Sequence, residues 1–140
     1  MSQKYEFSFP VEGKSFDDAG KASVEIKRIL KGLGIAGDVL RRTAIATYES
    51  EVNIISYAWK GNINICVTDD NILINIQDSG PGITDIEQAM RQGYSTADDR
   101  IREMGFGAGM GLFNIKNCSD EFEISSKVNK GTLLKILINR

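Results

Sequence analysis

Between Gly61 and Gln77 the side chains follow a period of two. Ile63, Ile65 and Val67 occupy every second position, Asp69-Asp70-Asn71 turns the chain, and Ile72, Ile74 and Ile76 return in the same alternation. This pattern predicts an antiparallel hairpin. Its apolar face has to be covered, and the rest of the chain supplies what covers it.

Upstream, Tyr5, Phe7, Phe9 and Val11 alternate as well. Pro10 cannot donate to a ladder, which predicts an edge strand. Ser15, with Asp18 three residues on, suits the cap of a helix carrying Phe16, Ala19, Ala22, Ile26, Ile29, Leu30 and Leu33 at helical spacing. Gly32, Gly34 and Gly37 end it. Asp38 is the expected cap of a longer helix reaching about Ala58, with Leu40, Ala44, Ile45, Tyr48, Val52 and Ile55 as its apolar stripe. After the hairpin, Thr84 and Glu87 form a capping box for a short helix ending near Gln92. The stretch from Gly93 to Gly109 has no hydrophobic period, and a loop of that length inside a compact domain is usually functional or disordered. A helix from about Met110 to Cys118 follows. Phe122 and Ile124, then Leu134, Ile136 and Ile138, predict two closing strands around Asn129-Lys130-Gly131. The order β-α-α-β-β-α-loop-α-β-β fits one α+β domain over residues 1–140. It is a two-layer sandwich with a mixed sheet of about five strands and helices on one face.

Composition excludes several classes of function. The chain of 140 residues contains no histidine, which removes Ser-His-Asp and Cys-His catalysis, imidazole metal sites and phosphohistidine. A net charge of −2 argues against nucleic-acid binding through bulk positive charge. No apolar run is long enough for a membrane span, and the N-terminus lacks the apolar core of a signal peptide, so a cytoplasmic protein is expected. Cys66 and Cys118 have no CxxC spacing and read as reduced core residues.

Three segments carry chemistry. The densest is Gly105-Phe106-Gly107-Ala108-Gly109-Met110-Gly111, where glycines alternate as a helix begins. Backbone N–H groups can converge there beside a positive helix end, which makes an anion cradle rather than a mere hinge. Two more familiar phosphate motifs fail. Gly13-Lys14-Ser15 lacks the glycine-rich loop of a P-loop, and Leu112 stands where the dinucleotide fingerprint needs glycine or alanine. The second segment is Asp78-Ser79-Gly80-Pro81-Gly82 at a strand end. A carboxylate there can accept from an exocyclic amine, and Gly80 and Gly82 would let a flat ring approach, although Ser-Gly-Pro-Gly also suits a plain turn. The third is Glu49 and Asn53, four residues apart on one helix face. Such a pair can hold Mg²⁺ or orient a nucleophile, and it can equally be solvated surface. Glu51, two residues on, reads as an ordinary helix carboxylate of that kind.

In this order the motifs resemble those of the GHKL (Bergerat-fold) ATP-binding proteins, and most closely the stand-alone bacterial anti-sigma-factor serine/threonine kinases. The resemblance runs from about Ser15 to Ile138. It implies that Asn53 ligates Mg²⁺ on the ATP phosphates and that Glu49 is general base on the attacking hydroxyl. It also implies that Asp78 receives the adenine amine, with Gly82 close to the ring and Thr132 assisting through water. Residues 93–104 would form the lid, and Gly105, Gly107, Gly109 and Gly111 would wrap the phosphates. Many relatives carry histidine four residues after the asparagine, where this chain has Tyr57. The implied activity is transfer of the ATP γ-phosphate to a small antagonist protein, with a sigma factor as a second partner. A nucleotide-gated binding switch without transfer is the alternative. Relatives often pair through the N-terminal strand and helix, and an edge strand here would allow a homodimer.

Overall fold

The computed structural model describes residues 3–91 and 111–140. In chain order it contains β1 (Tyr5–Glu12), a 3-10 turn (Phe16–Asp18), α1 (Lys21–Gly32), α2 (Gly37–Tyr57), β2 (Lys60–Val67) and β3 (Asn71–Ser79). Then come α3 (Ile86–Ala89), α4 (Gly111–Cys118), β4 (Glu121–Lys127) and β5 (Gly131–Asn139). Among the described residues the strands form one five-stranded sheet in the order β1-β2-β3-β5-β4. β1 lies at an edge, as Pro10 requires.

Every neighbouring pair is antiparallel, which corrects the expected mixed sheet. The reason is which strand of the last hairpin docks. The second strand, β5, pairs with β3, and the first, β4, is pushed to the far edge, so the central pair runs in opposite directions.

The register turns the two-residue alternation into rows. Phe7, Ile65, Ile74, Ile136 and Phe122 line up across all five strands, and Phe9, Ile63, Ile76, Leu134 and Ile124 form the next row. These rows meet Ile26 and Leu30 of α1, Ile54 and Ile55 of α2 and Ile115 of α4 in one apolar core. Each fully buried isoleucine contributes about 1.5–3 kcal/mol by leaving water. The opposite sheet face carries Glu6, Ser8, Asn64, Lys135 and Glu123. No helix among the described residues is long and apolar enough to cross a membrane.

The expected helix starts differ. Ser15 makes no capping bond. The chain takes the 3-10 turn first, and α1 begins after Gly20. α2 starts at Gly37, so Asp38 falls in its first turn and pairs with Arg41 and Arg42 instead of capping. Asp85, not Thr84, caps α3 by accepting the Gln88 N–H at 3.0 Å. The stripe of α2 also shifts, because Tyr48 is exposed while Thr43, Thr47 and Ser50 are buried. Their hydroxyls donate back to the carbonyls of Val39, Thr43 and Ala46 at 2.7–2.9 Å, so these polar residues enter the core already satisfied.

The Gly13-Lys14 pair is structural. The Gly13 and Lys14 N–H groups donate to Trp59 and Ile55 carbonyls at 2.8 Å, and Lys14 Nζ donates to Ser56 O at 3.0 Å. A segment from β1's end thus closes the C-terminus of α2, where orphan carbonyls need donors.

Candidate functional site

α2 crosses the helical layer with α1 on one side and α4 on the other, and its two sides carry different chemistry. Glu49 and Asn53, both half-buried, are on the α4 side. Asn114 Nδ2 donates to Glu49 Oε1 at 3.4 Å. A Cβ added to Gly111 would sit 2.8 Å from Asn53 Oδ1. The first residue of α4 is therefore bare where the asparagine amide faces it. A carboxylate and an amide oxygen are brought to the first turn of a helix, an end whose dipole favours anions.

Asp78, at the end of β3, is half-buried. Its Oδ1 accepts the Thr132 N–H at 3.1 Å, and no other hydrogen bond to its carboxylate occurs among the described residues. Burial pushes its carboxyl pKa up, and the Thr132 N–H pulls it back. Gly61, directly across the sheet, lets α2 come down onto this strand end. A Cβ there would lie 2.9 Å from Ile54 Cδ1 and 3.1 Å from Asp78 Cβ. Gly61 thus stands between Ile54 of α2 and Asp78.

Ser126, which the sequence reading did not single out, ties this end together. Its hydroxyl accepts the Ile83 N–H at 2.8 Å, donates to Gly131 O at 3.0 Å and meets Thr132 Oγ1 at 2.9 Å. With its proton on Gly131 O, Ser126 accepts from the Thr132 hydroxyl, whose lone pairs stay available as acceptors.

The glycines of the strand-end motif make room for protein. A Cβ on Gly80 would lie 2.9 Å from Ala58 Cα. Gly82 has φ +77, and a Cβ there would run into the Lys127 carbonyl. The turn is thus clamped against α2's end and the β4–β5 turn.

The second residue missed from sequence is Glu51. It is 2% exposed and points away from Glu49, towards α1. Its carboxylate accepts the N–H groups of Ala22 and Ser23, each at 3.1 Å. A signal for it existed: Glu51 falls three residues after Tyr48 and four before Ile55, inside the apolar stripe itself.

The structure thus brings Asn53 to Gly111 and Glu49 to Asn114 of the same helix, and packs Asp78, Gly80, Gly82 and Thr132 around one strand end. Gly105, Gly107, Gly109 and the expected lid lie outside the described residues. Among the described residues no three Asp, Glu, Cys or His side chains gather as a metal cage. A cation at Asn53 would draw its other ligands from phosphate and water, as Mg²⁺ commonly does.

Comparison with known proteins identifies the family. The family described as histidine kinase-, DNA gyrase B-, and HSP90-like ATPase matches residues 39–140. The chain is 33% identical to serine/threonine-protein kinase RsbT of Bacillus subtilis over 115 residues, 79% of this chain and 80% of that one. It is 33% identical over 100 residues to an anti-sigma F factor of Caldanaerobacter subterraneus, covering 68% of this chain and 65% of that protein. An anti-sigma F factor of Heyndrickxia coagulans is 25% identical over 143 residues, 97% of this chain and 92% of the relative.

Proposed function

The chain belongs to the histidine kinase-, DNA gyrase B-, and HSP90-like ATPase family, and from that premise we propose that it is an ATP-dependent serine/threonine protein kinase. It transfers the γ-phosphate of ATP to a hydroxyl on a small antagonist protein and holds a sigma factor as a second partner. The observation that carries this reading is the meeting of two α2 residues with one helix: Glu49 with Asn114, and Asn53 with Gly111, the bare first residue of α4.

Asp78 receives the adenine amine on the carboxylate oxygen that Thr132 leaves open, and Thr132 contributes its hydroxyl beside it. The start of α4 faces the phosphates with N–H groups and a positive dipole, and Gly111 keeps that approach clear. Mg²⁺, held through Asn53, would neutralise charge on the phosphates. Glu49 removes the proton of the attacking hydroxyl as its oxygen bonds to the γ-phosphorus. The bond from that phosphorus to the bridging oxygen breaks, and ADP leaves. Such a reaction needs positioning and charge compensation more than covalent help from the protein. The glycines at 105, 107 and 109 join the phosphate cradle. The protein works in the cytoplasm, and the open edge of β1 offers a route to a homodimer.

The test is transfer from labelled Mg-ATP to candidate antagonist proteins by the parent and by Glu49→Gln. Loss of a positioned base should slow transfer by about 10²–10⁴-fold, with ATP affinity kept. Equal rates in the two proteins would dismiss Glu49 as the base. Tight ATP binding by the parent with no ADP formed in the partner's presence would identify a nucleotide-gated switch instead.

A further inference from the structure

The first turn of α1 has no cap of its own. Gly20 occupies the N-cap with φ +96 and offers no side chain, so the amides of Ala22 and Ser23 would be left without partners. Glu51 reaches across from α2 and takes both. Its Oε2 accepts from Ala22 and its Oε1 from Ser23. It forms no ion pair with a lysine or arginine among the described residues. The buried charge is held by two N–H groups and the positive end of α1.

A buried carboxylate is a costly way to join two helices, since apolar residues of similar volume often do so with equal or better stability. Apolar packing, however, is non-directional. Two charge-assisted N–H···O bonds fix one helix in one rotation relative to the other. Rotation is what the site depends on. Two residues turn an α-helix by about 200°, so Glu49 and Asn53 leave α2 on the far side from Glu51, within the same turn. A roll of α2 that loosened Glu51 from α1 would carry Glu49 off Asn114 and Asn53 off Gly111.

We propose that Glu51 is a positioning residue for this site: by clamping α2 to the start of α1, it sets the angle at which Glu49 and Asn53 face α4. The chemistry being positioned rests on the kinase reading; the clamp itself does not.

The test compares the parent with Glu51→Gln, which presents an NH₂ to one of the two backbone donors. In the ligand-free protein, the Ala22 and Ser23 amides should exchange faster with solvent, and the side-chain amide NMR signals of Asn53 and Asn114 should shift. The tightening of ATP binding by Mg²⁺ should fall about tenfold, while Mg²⁺-free ATP affinity, governed by the Asp78 end, stays within about twofold. A mere loss of stability would not produce that split at a temperature where both proteins are folded. If Glu51→Gln does not fold, Glu51→Asp keeps charge and acceptors on a shorter arm, and the same signals should move by less. Unmoved Asn53 and Asn114 signals, with Ala22 and Ser23 exchanging faster, would overturn the proposal and leave Glu51 a helix cap only. A parent that binds no ATP would overturn the kinase reading alone, because the ligand-free signals would still decide the role of Glu51.

Discussion

At the Asp78 end of the site, backbone packs on backbone. The Thr132 amide holds the carboxylate, Ser126 gathers three segments through one hydroxyl, and Gly82 and Gly131 leave no room for a side chain against Lys127 and Asp78. At the Glu49 end, side chains on two helices face each other through one 3.4 Å bond and a carboxamide beside a glycine. The Asp78 end, to which we assign the base, is pre-shaped by the sheet, whereas the Glu49 end, to which we assign the phosphates, is aimed by helix orientation. Recognition of a rigid ring profits from the first construction. A reaction that must distinguish its transition state from its ground state profits from the second.

The sharpest way to break this comparison is to add the same methyl group at each end. At Gly131, with φ +150, a Cβ runs into the Asp78 carbonyl, and neither backbone can yield. Gly131→Ala is expected to lose about 3 kcal/mol or more of stability in denaturant unfolding, and with it the adenine end.

Asp78→Asn tests the base end without disturbing its packing, since the amide oxygen can still accept from Thr132. Loss of the charged acceptor should cost about 1.5–3 kcal/mol of ATP binding, read by calorimetry. The free protein should melt at the parent's temperature or above it. Burial raises the Asp78 pKa, so the folded state holds this proton more tightly than the unfolded state does. The stability it contributes therefore falls as pH rises from the ordinary carboxylate value through the raised one, and at neutral pH the ionised group is a cost. ATP affinity should move the other way, weakening as pH drops through that raised range and Asp78 takes up its proton. In Asp78→Asn this part of the pH dependence should vanish.

Gly111→Ala is the smallest change expected in stability. Its Cβ would meet the end of the Asn53 side chain rather than backbone, and alanine is the better helix former, so unfolding should shift by about 1 kcal/mol or less. Mg²⁺-dependent ATP binding should weaken nonetheless, because the displaced amide is the one assigned to the cation. If Gly111→Ala were as destabilising as Gly131→Ala, the contrast between the two ends would fall.

Much of the sheet was legible in the chain because its signals are strong and repeated. Ile63, Ile65, Ile74 and Ile136 each alternate with their neighbours, and a one-residue slip would turn a whole strand's apolar set outward. Glu49 and Asn53 were legible for a similar reason, since a spacing of four puts two side chains on one helix face whatever surrounds it. The helix starts were not. Ser15, Asp38 and Thr84 each fit a local capping rule, and none of them caps. A cap is typically worth about 1 kcal/mol, so a tertiary partner can outbid it, and for α1 that partner is Glu51, 29 residues away. Ser126 was invisible for a similar reason, because it joins Ile83, 43 residues before it, to Gly131 and Thr132 on the neighbouring strand.

By its own order of residues, the chain determined that alternating isoleucines would pair into a one-faced sheet, that helices would cover that face, and that a carboxylate would stand at the end of β3. Those outcomes follow from periodicity, which is local and repeats often enough to dominate weaker preferences. Tertiary structure alone decided that β5 rather than β4 would lie beside β3, that Glu51 would turn inward to hold α1, and that Glu49 would face Asn114. These depend on where directional bonds can be completed between segments far apart in sequence, and no local pattern of residues encodes that distance.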